Sequence, residues 1–200
     1  VELGRLLFFD KVLSGNRDIA CSTCHHVTYH STDLLTLGIG TGGTRKGPSR
    51  RLGRGEFIER NTSDLYNKGL DEVTTLFHDG RVARGEGKVL TPAGDLLPAG
   101  LDLLAAQAMF PVVSRSEMRG RPGDTAVTGE PNELADYDDR DFTRIWAALT
   151  DRVLSFPEYR RKFEQAFPGV DSASLGFHHA ATAMAAFERA VFTLLDTPFD

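Results

Sequence analysis

The five residues Cys21-Ser22-Thr23-Cys24-His25 constrain this chain more than any other segment. Two thiols three positions apart can add to the two vinyl groups of one haem. The residue that follows can then swing its imidazole under the iron as the proximal ligand. Two other chemistries use the same spacing. A thioredoxin-type redox pair needs a βαβ setting, and no such pattern surrounds these residues. A structural zinc site needs a second ligand pair, and the chain has only 2 cysteines. Covalent haem c attachment uses both thiols, with Cys21 and Cys24 as the thioether positions and His25 as the iron ligand.

At 200 residues the chain is long enough for one self-supporting core. Its 40% hydrophobic and 26% charged composition is that of an ordinary globular domain and excludes a disordered or collagen-like chain. A net charge of −5 argues against general nucleic-acid binding. The longest stretch without a formal charge, Ser172 to Phe187, is too short and too polar to span a bilayer. Two cysteines make no disulfide scaffold. The start at Val1, without an initiator methionine, suggests a removed leader or a piece of a longer protein.

Helical periodicity dominates, and the expected fold is all-α: a cytochrome c-like haem domain, residues 1–200, with long loops and extra helices. Leu3, Leu6 and Leu7 carry i, i+3, i+4 spacing. Leu101, Leu104, Ala105 and Ala108 repeat it, with Pro111 as the stop. Phe142, Ile145, Trp146 and Leu149 give it again, continued by Val153. Pro157 suits the first turn of a helix carrying Tyr159, Phe163 and Phe167. The last helix is expected from Asp171 or Ser172 to the break at Pro198. Long loops are expected at 38–62, 78–100 and 119–138, since no run alternates with period two.

Two stretches invite other readings. Gly38-Ile39-Gly40-Thr41-Gly42-Gly43 fits G-x-G-x-x-G, but no strand precedes it and Arg45-Lys46-Gly47-Pro48 does not begin a helix. Its glycines instead suggest backbone passing close to a flat ligand, here the haem edge. Five basic residues and no acid lie between Arg45 and Arg54, either a solvated face or partners for haem propionates. Six acids between Glu130 and Asp141 read as a solvated loop and helix start, with a weak cation site as the alternative.

Leu3-Gly4-Arg5-Leu6-Leu7-Phe8-Phe9-Asp10, then Leu13-Ser14-Gly15 and Cys21 to His25, resembles the opening of the bacterial di-haem cytochrome c peroxidase family, which includes the MauG branch. Arg60-Asn61-Thr62, Phe77-His78-Asp79-Gly80-Arg81, the set Gln107, Pro111, Glu117 and Met118, Ala185-Ala186-Phe187-Glu188-Arg189 and Pro198-Phe199-Asp200 are similar to further family segments, in the family's order. The resemblance implies a peroxidatic haem domain exported to the periplasm. Family members usually continue into a second haem domain, absent from this chain, which passes electrons to the first.

Breaking a peroxide O–O bond requires a proton to leave one oxygen and reach the other, work for a carboxylate. An amide can steady the developing charge. From spacing alone, Glu117 is a loop charge and Gln107 a helix-surface residue. The resemblance makes Glu117 the acid–base catalyst and Gln107 its orienting partner, with Pro111 shaping the pocket. It also matches Asn61 to an inter-haem calcium ligand. Two departures stand out. Thr41 occupies the place of the distal histidine that blocks the iron in regulated members, which implies a pocket open without reductive activation. His78 stands where the family has tryptophan, and imidazole is a poorer hole carrier than indole. His30 is a rival sixth ligand, five residues from His25.

The expected activity is reduction of hydrogen peroxide, with electrons from a second haem domain or from a donor cytochrome or cupredoxin. MauG-like oxidation of a protein partner is the nearest variant. The rival is a c-type electron-transfer or assembly subunit without peroxidase activity.

Overall fold

Helix α1 (Glu2–Phe9) buries Leu3, Leu7 and Phe8, and a second, one-turn helix α2 (Cys21–Cys24) follows a buried turn through Leu13 and Ser14. The structure, a computed structural model, describes residues 1–198; Phe199 and Asp200 of the expected closing segment lie outside the described residues. Helix α3 (Leu103–Ala108) starts at Asp102, whose carboxylate accepts from the Leu104 and Ala105 amides, as an N-cap should. Helices α4 (Phe142–Leu154), α5 (Pro157–Ala166) and α6 (Phe177–Phe192) complete the helical layer.

The apolar positions found by periodicity form one core. Ile145, Leu149 and Val153 of α4 meet Leu104 and Ala105 of α3, Met184 of α6 and Leu7 of α1 in a single cluster. Burying a Leu or Ile side chain stabilises by roughly 1.5–3 kcal/mol, so this cluster is the main driving force. Trp146 adds direction to it, since its indole N–H donates to the Met109 carbonyl at 2.9 Å. Helices α1 and α6 cross closely because Gly4 has no side chain; a Cβ there would overlap the Ala183 carbonyl. Arg152 ties α4 back to the N-terminal turn, donating to Val12 and Ser14 carbonyls at 2.8 Å each.

The all-α expectation is overturned. Strands β1 (Thr75–Leu76), β2 (Val82–Arg84) and β3 (Val89–Leu90) form a three-stranded antiparallel sheet, so the fold is mixed helix and sheet. The register pairs Leu76 with Val82 and Ala83 with Leu90. Each strand has two or three residues, too few for period-two alternation to show in the sequence. The expected loop 78–100 therefore contains two strands. Val82, fully buried, fastens the sheet to the core beside α3.

Helix starts also moved. Asp171 caps only a short turn at Ser172–Ser174, and extended backbone at Gly176 delays α6 to Phe177. It ends at Phe192, before Pro198. The acidic run is not simply solvated: Glu130 pairs with Arg17, Glu133 with Arg152, and Asp139 with Arg115 and Arg119.

Candidate active site

Helix α2 presents Cys21, Cys24 and His25 from one turn. Thr23 starts it by accepting the Ala20 amide on its hydroxyl at 2.9 Å, and the His25 amide closes it on the Cys21 carbonyl at 2.8 Å. Both cysteines are free. Burial pushes each thiol up to about 12, so both are neutral thiols at physiological pH. That is unlike the low-pKa thiolate of a redox pair. Among the described residues, no group of three or more His, Cys, Asp or Glu side chains could hold a metal ion. The zinc reading thus lacks its ligand set.

Burial also holds the His25 imidazole below its ordinary pKa, so the ring is neutral. Its Nδ1 lies 3.1 Å from the Ser31 carbonyl. A neutral ring with one nitrogen oriented by a carbonyl is how proteins prepare histidine as a metal ligand. Two protonated thiols and this ring, on one turn, fit covalent haem c as a donor set.

The Glu117 segment lies against the segment that follows this turn. Glu117 sits in a π turn, Arg115–Arg119. Its carbonyl accepts from the Thr41 amide at 2.7 Å, while the Cys24 thiol approaches the Ile39 carbonyl at 3.9 Å. Residues 39–41 therefore connect the haem-attachment turn to the Glu117 turn. The close approach depends on Gly40, where a Cβ would overlap the Ser116 and Glu117 carbonyls. This packing against protein backbone is what the glycine run serves at that position; the run read from the sequence as haem-edge backbone has a partner within the fold.

Burial raises the Glu117 pKa above the ordinary carboxylate value of 4.5, opposed by the Arg81 guanidinium and the Ser114 hydroxyl. The negative charge of Glu117 in turn helps raise the Cys24 thiol, which places the carboxylate within electrostatic reach of α2. Arg81 stands over the Phe77 ring at 3.8 Å, and Phe77 meets Phe110 edge-on. Gln107 is half-buried in the last turn of α3, and Pro111 follows half-buried after Phe110. Among the described residues the Gln107 amide has no hydrogen-bond partner, which leaves it available to a ligand.

Thr41 is buried, but its hydroxyl is occupied by Asp18. Asn61 is exposed. His30 is exposed and faces Tyr66, and His78 is exposed on the β1–β2 turn. Of the basic loop, Arg50 is buried and spends its guanidinium on the Ile39, Gly40 and Arg45 carbonyls, so it has no free edge for a propionate.

Sequence reasoning passed over two carboxylates. Asp33 and Glu188 are buried, each with one oxygen unpartnered among the described residues, and they act electrostatically on Cys24 and Cys21 respectively. Glu188 was visible only as part of the Ala-Ala-Phe-Glu-Arg segment. Its neighbour Arg189 pairs with Asp102 at 2.5 Å.

A mixed helical fold with a one-turn C-x-x-C-H helix defines a c-type haem-attachment domain. The sequence profile of the di-haem cytochrome c peroxidase family matches residues 1–200, and the chain belongs to that family. It is 28% identical over 200 residues to the cytochrome c551 peroxidase of Pseudomonas aeruginosa and 26% identical to the methylamine utilization protein MauG of Methylorubrum extorquens. All of this chain is covered in both cases, but it spans only 40% of each relative's length. The fold is shared with a solved MauG-like protein associated with microbial copper homeostasis, at a TM-score of 0.56 and 24% identity, covering 99% of this chain and 41% of that one. Among the described residues, no helix is long and apolar enough to cross a membrane.

Proposed function

We propose that this chain is a peroxidatic haem c domain that reduces hydrogen peroxide in the periplasm. The carrying observation is the link through residues 39–41 between the Cys21–His25 turn and the desolvated Glu117 carboxyl. Cys21 and Cys24 would hold the haem by thioether bonds, and the His25 imidazole would ligate its iron. When bound, the haem would supply the redox-active iron centre for peroxide reduction.

The chain's own residues manage protons. The Glu117 carboxylate accepts a proton from one peroxide oxygen and returns it to the oxygen that leaves as water. Its raised pKa brings it closer to neutrality, which suits a group that must both take and give. The Gln107 amide orients the peroxide and steadies charge on the leaving oxygen. Pro111 shapes the pocket without adding an N–H donor. Two electrons and two protons convert one peroxide into two waters. The electrons come from a second haem domain, as the length of the relatives suggests, or from a donor cytochrome or cupredoxin. Oxidation of a protein partner, as the MauG relatives suggest, uses the same proton path.

The test is haem retention followed by peroxide turnover. Haem stays on the acid-denatured chain and is lost to organic solvent when Cys21 and Cys24 are both alanine. The haem-loaded chain consumes peroxide with a small-molecule reductant. Full retention without turnover, and a low-spin ferric spectrum, would instead establish an electron carrier.

A further inference from the structure

Converting one peroxide to two waters takes up two protons from outside, yet the Glu117 carboxyl is desolvated. A desolvated acid–base group needs a route by which solvent protons reach it. The turn that carries Glu117 has a polar cleft of about 460 Å³ on its outer side. Ser114 and Ser116 line it from the Glu117 segment, and Glu56, Glu59, Arg121 and Asp139 line it from elsewhere.

Two hydroxyls stand between this cleft and the carboxyl. The Ser114 carbonyl accepts from the Met118 and Arg119 amides at 3.1 and 2.9 Å, which fixes Ser114 at the start of the turn. Its hydroxyl donates to the Glu117 carboxyl. Ser114 Oγ and Ser116 Oγ lie 3.5 Å apart, the long limit of a hydrogen bond, and either can be the donor. A hydroxyl accepts one proton while giving another, and its hydrogen rotates to suit. Both serines are half-buried. Arg115, between them in sequence, turns its guanidinium to Asp139 and to the Gly120, Ala135 and Tyr137 carbonyls.

The charges around this path are mostly engaged. Glu56 takes two hydrogen bonds from Arg121 at 2.5 and 2.6 Å, and Asp139 is paired with Arg115 and Arg119. Glu59 is exposed and has no ion pair among the described residues. On its other sides Glu117 meets Arg81 from the β1–β2 turn and Cys24 from α2. Residues 39–41 offer it backbone, with Arg50 spent on the Ile39 and Gly40 carbonyls and Asp18 on Thr41 and Gly42. A guanidinium has no acceptor site and a thiol is a weak donor, so the hydroxyl pair is the relay among these groups.

We propose that Ser116 and Ser114 relay protons from this cleft to the Glu117 carboxylate. The proposal rests on the acid–base reading of Glu117 above. Solvent acid in the cleft, hydronium or a protonated buffer, gives a proton to Ser116 Oγ. Ser116 passes its own hydroxyl proton to Ser114 Oγ, and Ser114 passes its own to the carboxylate. One proton enters Glu117, both hydroxyls are restored, and no electron moves. Glu59, unpaired at the mouth of the cleft, draws the solvent acid in.

The experiment uses the haem-loaded chain with a small-molecule reductant in excess. Ser116→Ala should cut steady peroxide turnover by roughly 10²-fold, the lower end of what positioned proton transfer contributes. Ser116→Thr, which keeps a hydroxyl, should restore most of it. Proton delivery then limits the alanine variant, so its solvent deuterium isotope effect should exceed the parent's. Its turnover should also rise with the concentration of buffer acid. A second readout needs no turnover: NMR of isotope-labelled glutamate in the diamagnetic ferrous carbon monoxide form, with Glu117→Gln assigning the resonance. Ser114→Ala should move the Glu117 titration to higher pH, because the carboxylate loses a donor, and Ser114→Thr should hold it in place. Haem content is checked in every variant. Parent-rate turnover by Glu117→Gln overturns the acid–base reading, and the relay then stands or falls on the NMR titration alone. Alanine variants with the parent turnover and isotope effect overturn the relay. So do threonine variants as slow as the alanine ones, or a Glu117 titration that Ser114→Ala leaves unmoved.

Discussion

Thr41 gives its hydroxyl proton to Asp18 Oδ1 at 2.7 Å, and the next amide, Gly42, donates to Oδ2 at 2.6 Å. A third donor, the Ser14 hydroxyl, reaches the same carboxylate at 3.0 Å. Asp18 thereby pins the loop that begins at Ile39 to the turn before α2. Thr41 is a structural anchor here.

Under the proposed function, the anchored Thr41 leaves the haem face open. The oxidised, haem-loaded chain is expected to bind cyanide without prior reduction, followed by its Soret shift. Thr41→His should give a low-spin ferric spectrum. Thr41→Val should retain the open spectrum and lose about 1.5–3 kcal/mol of stability, the usual worth of a hydrogen bond to a charged group. A six-coordinate, bis-histidine spectrum in the unmodified protein would falsify the open-face assignment.

Glu117 must be ionised to take the first proton. Because burial raises its pKa above 4.5, the rate of reaction with peroxide should climb with pH through that raised value and then level. Glu117→Gln keeps the size and removes the base. Its second-order rate with peroxide should drop by about 10²–10⁴-fold, with cyanide affinity changed far less. Gln107→Ala should cost less, since an amide orients and transfers no proton. Stopped-flow absorbance across a pH series checks both.

Gly40→Ala drives a methyl group into the Ser116 and Glu117 carbonyls. The Glu117 turn must then move away from residues 39–41. Overpacking of this kind costs roughly 1–3 kcal/mol. Haem attachment at α2 should survive, while the peroxide rate falls with the displaced carboxylate. Calorimetric melting, haem content and turnover on one preparation separate the three effects.

Glu188 is a buried acid whose pKa is pushed to about 7 by loss of solvent, opposed only by Arg189. Between the ordinary 4.5 and about 7 the folded chain holds a proton that the unfolded chain releases. Stability contributed by this site therefore falls as pH rises through that window. The span of about 2.5 units corresponds to on the order of 3 kcal/mol. Glu188→Gln should flatten this part of the stability profile, read by urea melts from pH 5 to 8. An identical profile in the variant would assign the slope to another group.

Much of this was legible before the structure. Helices α1, α4 and α5 follow from apolar spacing and from Pro157, because each buries one continuous stripe. The three strands were hidden because two or three residues cannot display a period, and the pairing that makes them strands joins residues read as loop. At the site, Cys21, Cys24 and His25 are local in sequence and could be read directly. The link between Cys24 and Glu117 runs through Ile39, Gly40 and Thr41 over a gap of more than 70 residues, and no local pattern reports it. The Thr41–Asp18 anchor spans 23 residues, also beyond the reach of a local pattern. Glu188 gave no signal of its own, since burial of one acid on an otherwise apolar helix face is set by what packs against it.

Arg50 carries a wider consequence. Its guanidinium donates to the Ile39, Gly40 and Arg45 carbonyls at 2.8, 2.6 and 2.9 Å, so a loop with little regular structure is closed from the inside by one side chain. The side-chain charges at 45, 46 and 54 take no part in that closure, and Arg51 adds one bond to the Arg50 carbonyl at 3.3 Å. The inner backbone, through the Thr41 amide, holds the Glu117 carbonyl. Removing the Arg50 guanidinium would therefore loosen the contact between residues 39–41 and the Glu117 turn without touching that turn directly.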